Sequence, residues 1–139
     1  MKKIFMILLL ISNLIHANLS RNNGVISDSN TNLEWQDTYV NNVKEAIWND
    51  AINYCENLNL NNQNDWRLPN INELSSIVDT NKFSPTINII FENTNSNYYW
   101  TSTTYNYNKQ AWVISFTNGI FYNLDKTKNN YPIRCVRTK

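Results

Sequence analysis

Ten consecutive residues, Asp65-Trp66-Arg67-Leu68-Pro69-Asn70-Ile71-Asn72-Glu73-Leu74, constrain this chain more than any others. Pro69 fixes its own φ and pushes Leu68 toward extended backbone, so a helix cannot begin before it. Asn70 then stands at the N-cap, where its side-chain oxygen can accept a hydrogen bond from a free amide of the first turn. Glu73, three residues on, can reach back in the manner of a capping box. Leu74, Ile77 and Val78 supply the buried stripe of a short helix expected to end near Asp79. Trp66 reads as a core anchor and Arg67 as a partly buried guanidinium that ties loops together through its planar fork of donors; the sharper alternative makes Arg67 a ligand group.

Lys2-Lys3 followed by the apolar run Ile4 to Ile11 has the form of a secretory signal peptide ending at Ala17. The run is shorter than the about 20 apolar residues of a membrane-spanning helix, so no stable membrane insertion is expected once residues 1–17 are removed; retention as an anchor is the alternative. Residues 18–139 then suffice for a single domain with one core. The expected location is the periplasm, the outer surface or the extracellular space. Without Lys2 and Lys3 the chain carries ten basic residues against eleven acidic ones, which argues against a globally cationic nucleic-acid binder. The distribution is uneven: from Thr101 to Lys139, six basic residues (Lys109, Lys126, Lys128, Arg134, Arg137, Lys139) stand against the single acid Asp125. Lysines on the solvent face of strands explain such an excess, and an anion-binding surface is the sharper reading.

Cys55 and Cys135 are the only two cysteines, and in an oxidising compartment an even pair in a small exported domain reads as a disulfide, with a metal site as the weaker reading. The only histidine, His16, falls in the segment expected to be removed. That excludes Ser-His-Asp, Cys-His and His-ligated zinc chemistry from the remainder. Gly24 and Gly119, the only two glycines, are too few for a phosphate-cradling loop. No metal or cofactor is expected.

Gly24 to Ser27 and Leu33 to Gln36 read as short strands around the polar turn Asp28 to Asn32, with Asn32 suited to a left-handed position. From Ala46 to Leu58, Ala46, Ile47, Ala51, Tyr54, Cys55 and Leu58 recur at helical spacing, which puts Cys55 on the buried face. Residues 59–65 read as a loop. The last third is strand-rich: Tyr98 to Thr103, Ala111 to Phe116, Ile120 to Leu124 and Ile133 to Arg137. Asn118-Gly119 is a type I′ hairpin signal. Trp112, Ile114 and Phe116 alternate with Val113 and Ser115, so one large apolar face is expected to point inward. Pro132 belongs at a strand end or on an unpaired edge.

Several of these pieces occur together and in order: a hairpin ending in Trp35-Gln36, Trp48-Asn49-Asp50-Ala51 through Tyr54-Cys55-Glu56-Asn57-Leu58, Asp65 to Asn70 with Glu73-Leu74, Tyr99 to Thr103, Ala111-Trp112 with Phe116 and Gly119, and Arg134-Cys135-Val136-Arg137. In this the chain resembles the Lcl C-terminal domain family, named for a bacterial collagen-like adhesin, over about residues 24 to 138. Thr101 and Pro132 depart from the family pattern. The resemblance implies an α+β, C-type-lectin-like fold, with two helices packed on twisted antiparallel sheets and a disulfide from the first helix to the last strand. The family's named member is a surface adhesin that trimerises through a collagen-like stalk and binds sulfated glycans; this chain has no collagen-like repeat, so it resembles the head alone. Trp48-Asn49-Asp50 is like the tripeptide that binds calcium and sugar in animal C-type lectins, but there it lies on a late strand and here in the first helix. With no Glu-Pro-Asn or Gln-Pro-Asp partner and calcium wanting six to eight oxygen ligands, Trp48 is read as helix packing.

The leading functional reading is a secreted or surface-held, non-enzymatic module that binds glycans, anionic or sulfated ones in particular, in adhesion. Its candidate ligand residues are Tyr105, Tyr107 and Lys109 in the loop before Trp112, with Tyr122, Lys126, Lys128 and Tyr131 beyond it, as stacking faces and cations. The alternative is an envelope protein-interaction or structural domain in which the same tyrosines form the interface. A formylglycine-generating-like enzyme is a distant third, because such enzymes share the scaffold but need a redox-active cysteine pair.

Overall fold

The computed structural model describes residues 19–38, 44–106 and 109–139. The expected signal peptide, residues 1–17, and Tyr107 lie outside the described residues. Among those described, the order is β1 (Leu19–Asn22), β2 (Val25–Asp28), β3 (Leu33–Gln36), β4 (Glu45–Ala46), α1 (Trp48–Glu56), α2 (Ile71–Ser75), β5 (Tyr98–Tyr105), β6 (Gln110–Ser115), β7 (Phe121–Asp125), β8 (Tyr131–Pro132) and β9 (Val136–Thr138). All pairings are antiparallel, in three sheets ordered β1-β2-β3-β9, β4-β8 and β5-β6-β7. Two helices on antiparallel sheets with one disulfide make this an α+β chain consistent with the lectin-like plan. No described helix is long and apolar enough to cross a membrane.

The segment that opens the sequence argument folds as its chemistry dictates. Asn70 is the N-cap of α2, its Oδ1 accepting from the Glu73 amide at 2.8 Å, while Glu73 Oε2 accepts from the Asn70 amide at 2.9 Å. Both halves of the capping box are present. Trp66 is buried, with its indole N–H donating to the Gln63 carbonyl at 3.1 Å. Arg67 forks onto both Glu73 oxygens at 2.7 Å each, so one carboxylate caps the helix and holds the guanidinium before it. The helix stops at Ser75, short of the expected Asp79. Val78 bridges to Ile87 and the Asp79 amide donates to the Thr86 carbonyl, so the long irregular segment takes donors that a longer helix would use.

Cys55 and Cys135 form the disulfide, joining α1 to the stretch before β9 across 80 residues. Helix α1 starts at Trp48 because Ala46 is paired in β4 with Tyr131 and Ile47 serves as the N-cap. The expected final strand, Ile133 to Arg137, is split. Pro132 ends the short β8, the Ile133 amide donates to the Lys44 carbonyl, and β9 then pairs with β3. Strands β1, β4 and β8 lie outside the segments that the sequence predicts as strands.

Two expectations about β6 fail. Val113 is as buried as Ile114, whereas Trp112 is only half-buried. The strand is central: Ala111 and Val113 join the cluster of Trp100, Trp66 and the disulfide, and Ile114 and Phe116 join the cluster of Trp35, Leu74 and Tyr99 on the other face. A strand covered on both faces loses the simple in-out alternation. The Asn118-Gly119 turn is not type I′ either. The loop runs over residues 116–119 with only Gly119 at positive φ, +76°, and the Gly119 amide donates to the Ser115 carbonyl at 2.7 Å.

With two glycines available, asparagine takes five of the six other positive-φ positions among the described residues, Asn23, Asn32, Asn61, Asn62 and Asn106, and Ser84 takes the sixth. The short polar side chain of asparagine tolerates that region better than most.

Candidate functional site

Two of the six basic residues of the last third, Arg134 and Arg137, are engaged by acids from distant parts of the chain. Arg134 is buried, 3% exposed, and donates to Asp37 at 3.0 Å, to the Gln36 and Asn93 carbonyls and to Thr94. Asp37 also accepts from Arg21 and from the Glu92 and Asn93 amides. Burial works against this carboxylate, but the Arg134 charge and these hydrogen bonds outweigh it and hold Asp37 below the ordinary carboxylate range. Arg137 pairs with Glu34 at 2.5 Å and Asp65 at 2.6 Å. Lys128 lies 3.8 Å from Asp125. Asp37 and Arg134 are a structural hub that the sequence reading missed; nothing local to either residue announces a partner 97 positions away.

The six described residues among the seven sequence-predicted ligand candidates fall on different faces of the sheet. Tyr105 packs edge-on to Trp112, ring centroids 5.1 Å apart. Register puts Tyr122 on the opposite face of the sheet, with Trp100 and Val113. There Tyr98 makes edge contacts with Tyr122 at 5.3 Å and Tyr131 at 5.6 Å, and Tyr131 also meets Trp100 at 5.2 Å. Tyr122 and Tyr131 are thus partly spent on one another's neighbours. Tyr107 lies outside the described residues.

Lys109 and Lys126 do come together, and the reason is the β6–β7 hairpin. Its register places them opposite each other at the open end, where the Lys126 amide donates to the Lys109 carbonyl at 3.1 Å. Helix α1 docks its first residue on this end: the Trp48 amide donates to the Lys126 carbonyl at 3.1 Å and the Trp48 indole N–H to the Thr101 carbonyl at 2.8 Å. Lys126 Nζ then sits 3.6 Å from the Trp48 ring centroid and donates to Thr104 Oγ1 at 2.9 Å. Partial burial pushes its ammonium below the ordinary lysine range. The ring attracts it through the aromatic quadrupole.

The result is a cleft of about 400 Å³ lined by Trp48, Asn49, Lys109, Asp125, Lys126 and Thr127. Neither Lys109 nor Lys126 makes an ion pair among the described residues. Asp125, the one carboxylate of the lining, accepts from the Thr127 amide and hydroxyl, bonds that with nearby Lys128 hold it below the ordinary range. Two ammonium groups against one engaged carboxylate leave the cleft net positive. Trp48 was read from the sequence as helix packing alone; it packs, and it also floors the cleft. The signal that would have found it is the pairing of Lys109 with Lys126 across the hairpin.

The cleft offers an anion two ammonium groups beside an indole ring. Both thiols are in the disulfide, and no group of three His, Cys, Asp or Glu side chains among the described residues could hold a metal ion. Set against known families, residues 24–137 match the model described as the Lcl C-terminal domain. No curated protein matches the chain.

Proposed function

Since this chain belongs to the Lcl C-terminal domain family, we propose that it is a non-enzymatic binding module of an oxidising compartment outside the cytoplasm, and that the cleft floored by Trp48 takes an anionic glycan. The observation that carries this reading is Lys126, fixed over an indole ring and partly desolvated, with no ion-pair partner among the described residues. A sulfate or carboxylate lying between Lys126 and Lys109 offsets the solvation that the ammonium groups give up. Asn49 and Thr127 add an amide and a hydroxyl for neutral sugar hydroxyls. Of the seven sequence candidates this reading keeps Lys109 and Lys126 at the centre and Lys128 at the rim, and it adds Trp48 and Asn49. Cys55 and Cys135 are fully buried and bonded to each other, which supports a structural bond over the redox-active pair that a formylglycine-generating-like enzyme needs.

An unbiased glycan array and a heparin column test the proposal on the oxidised protein. Retention at low salt, falling steeply as salt is added and weakened by Lys126→Ala, is the expected result. No retention at low salt refutes it. An empty array together with a defined protein recovered from an envelope extract establishes the protein-interaction reading instead.

A further inference from the structure

The third strand of the β5-β6-β7 sheet ends that sheet with an open edge. The Ser115 amide donates to the Ile120 carbonyl and the Lys126 amide to the Lys109 carbonyl, which fixes the phase of the β6–β7 ladder. Hydrogen-bonded pairs alternate along an antiparallel ladder, so Tyr122 and Leu124 face β6 and the backbone N–H and C=O groups of Phe121, Asn123 and Asp125 point outward. None of those outward groups bonds to another described residue. The edge is lightly protected: Phe121–Asp125 holds no proline, no lysine and no bulge, and its one charge, Asp125, stands at the end of the strand. Ile120, Phe121 and Tyr122 are 50%, 48% and 36% exposed, a run of large apolar side chains in water.

We propose that β7 pairs antiparallel with β7 of a second copy of this chain about a two-fold axis at Asn123. The strand is complementary to itself in this register. Phe121 of one copy falls opposite Asp125 of the other and Asn123 opposite Asn123, so every outward backbone group of the strand meets a partner of the right kind. On one face Tyr122 of each copy lies beside Leu124 of the other, an aromatic-aliphatic cross-strand pair made twice. No two like charges are opposed. Such an isologous contact closes on itself and stops at two copies. Resting on the function proposed above, it also has a use: Lys126 of one copy aligns with Ile120 of the other, which sets the two clefts about 20 Å apart along the strand direction, a spacing suited to one extended polyanion.

Hydrogen exchange on the unmodified oxidised protein, followed by NMR across protein concentration, reads the outward groups directly. The Phe121, Asn123 and Asp125 amides are expected to gain protection as concentration rises, while Tyr122 and Leu124 stay protected throughout. Light scattering should show the mass rising from one chain to two over the same range. Asn123→Lys and Asn123→Asp, each placing like charges at the axis, are each expected to give single chains, and an equimolar mixture of the two to restore the pair. A single-chain mass at every concentration, outward amides that exchange fast throughout, or a dimer that both variants leave intact overturns the proposal. These readouts need no glycan, so their failure leaves the cleft reading standing, and an empty array leaves the dimer standing.

Discussion

Asp37→Ala tests the argument that a buried carboxylate, and not the surface lysines, organises the charges of this fold. The Asp37 side chain is fully buried and meets donors from Arg21, Arg134 and the Glu92 and Asn93 amides. Its removal strands Arg134, whose side chain is 2% exposed and whose guanidinium lies 4.9 Å from the Phe91 ring centroid. Breaking a buried ion pair from one side costs about 3–5 kcal/mol, because the remaining charge keeps its desolvation and loses its compensation. Three acceptors stay with Arg134, namely the Gln36 and Asn93 carbonyls and Thr94 Oγ1, and Arg21 is 16% exposed and reaches water. These lower the expected loss to about 3–4 kcal/mol, the lower part of that range. Urea unfolding followed by tryptophan fluorescence, with a slope of about 1–3 kcal/mol per molar, should show a midpoint lower by about 2 M. Adding Arg134→Met removes the stranded charge and should recover at least half of the loss. A loss below about 1 kcal/mol, the size of an exposed pair, would refute the reasoning by showing that water reaches Arg134.

The same carboxylate sets a pH dependence. Its folded pKa lies below its unfolded value of about 3.9, so it adds stability that is fully present above that value and lost as pH falls through the lower folded value. Wild type should therefore lose more stability between neutral pH and strong acid than Asp37→Asn, as measured by urea midpoints along a pH series. Replacing both Cys55 and Cys135 by alanine opens a loop spanning 80 residues and should cost about 4.5 kcal/mol on the chain-entropy model, read as a lower thermal midpoint that reductant no longer changes. Gly119→Ala forces a Cβ into positive φ and to 3.0 Å from Val78 Cγ1, and a loss of about 1–2 kcal/mol is expected by urea unfolding; an unchanged midpoint would mean that the loop gives way freely. Asn70→Ala removes the side-chain acceptor of the capping box and should cost about 1 kcal/mol by the same assay, while the bond from the backbone amide of residue 70 to Glu73 Oε2 survives the change.

The sequence by itself determined the features that nearest neighbours control. Pro69, Asn70 and Glu73 lie within five residues, so the turn of backbone, the cap and the reciprocal hydrogen bond follow from local geometry alone. Helical spacing likewise put Cys55 on the buried face of α1, and the cysteine count paired it with Cys135. Asn32 took its left-handed position for an equally local reason. What only the tertiary structure decided concerns long range. Arg134 and Arg137 read as part of a cationic face, yet Asp37, Glu34 and Asp65 claim them from 97, 103 and 72 residues away. Trp112 read as inward-facing because alternation assumes one buried face, and β6 has two. The seven candidate ligand residues read as neighbours because they share the last third, whereas a strand sends successive side chains to opposite faces and the hairpin register alone joins Lys109 to Lys126. Composition counts charges and rings. Which of them remain free to meet a ligand depends on who meets whom across the sheet, and that is settled by pairing between distant segments.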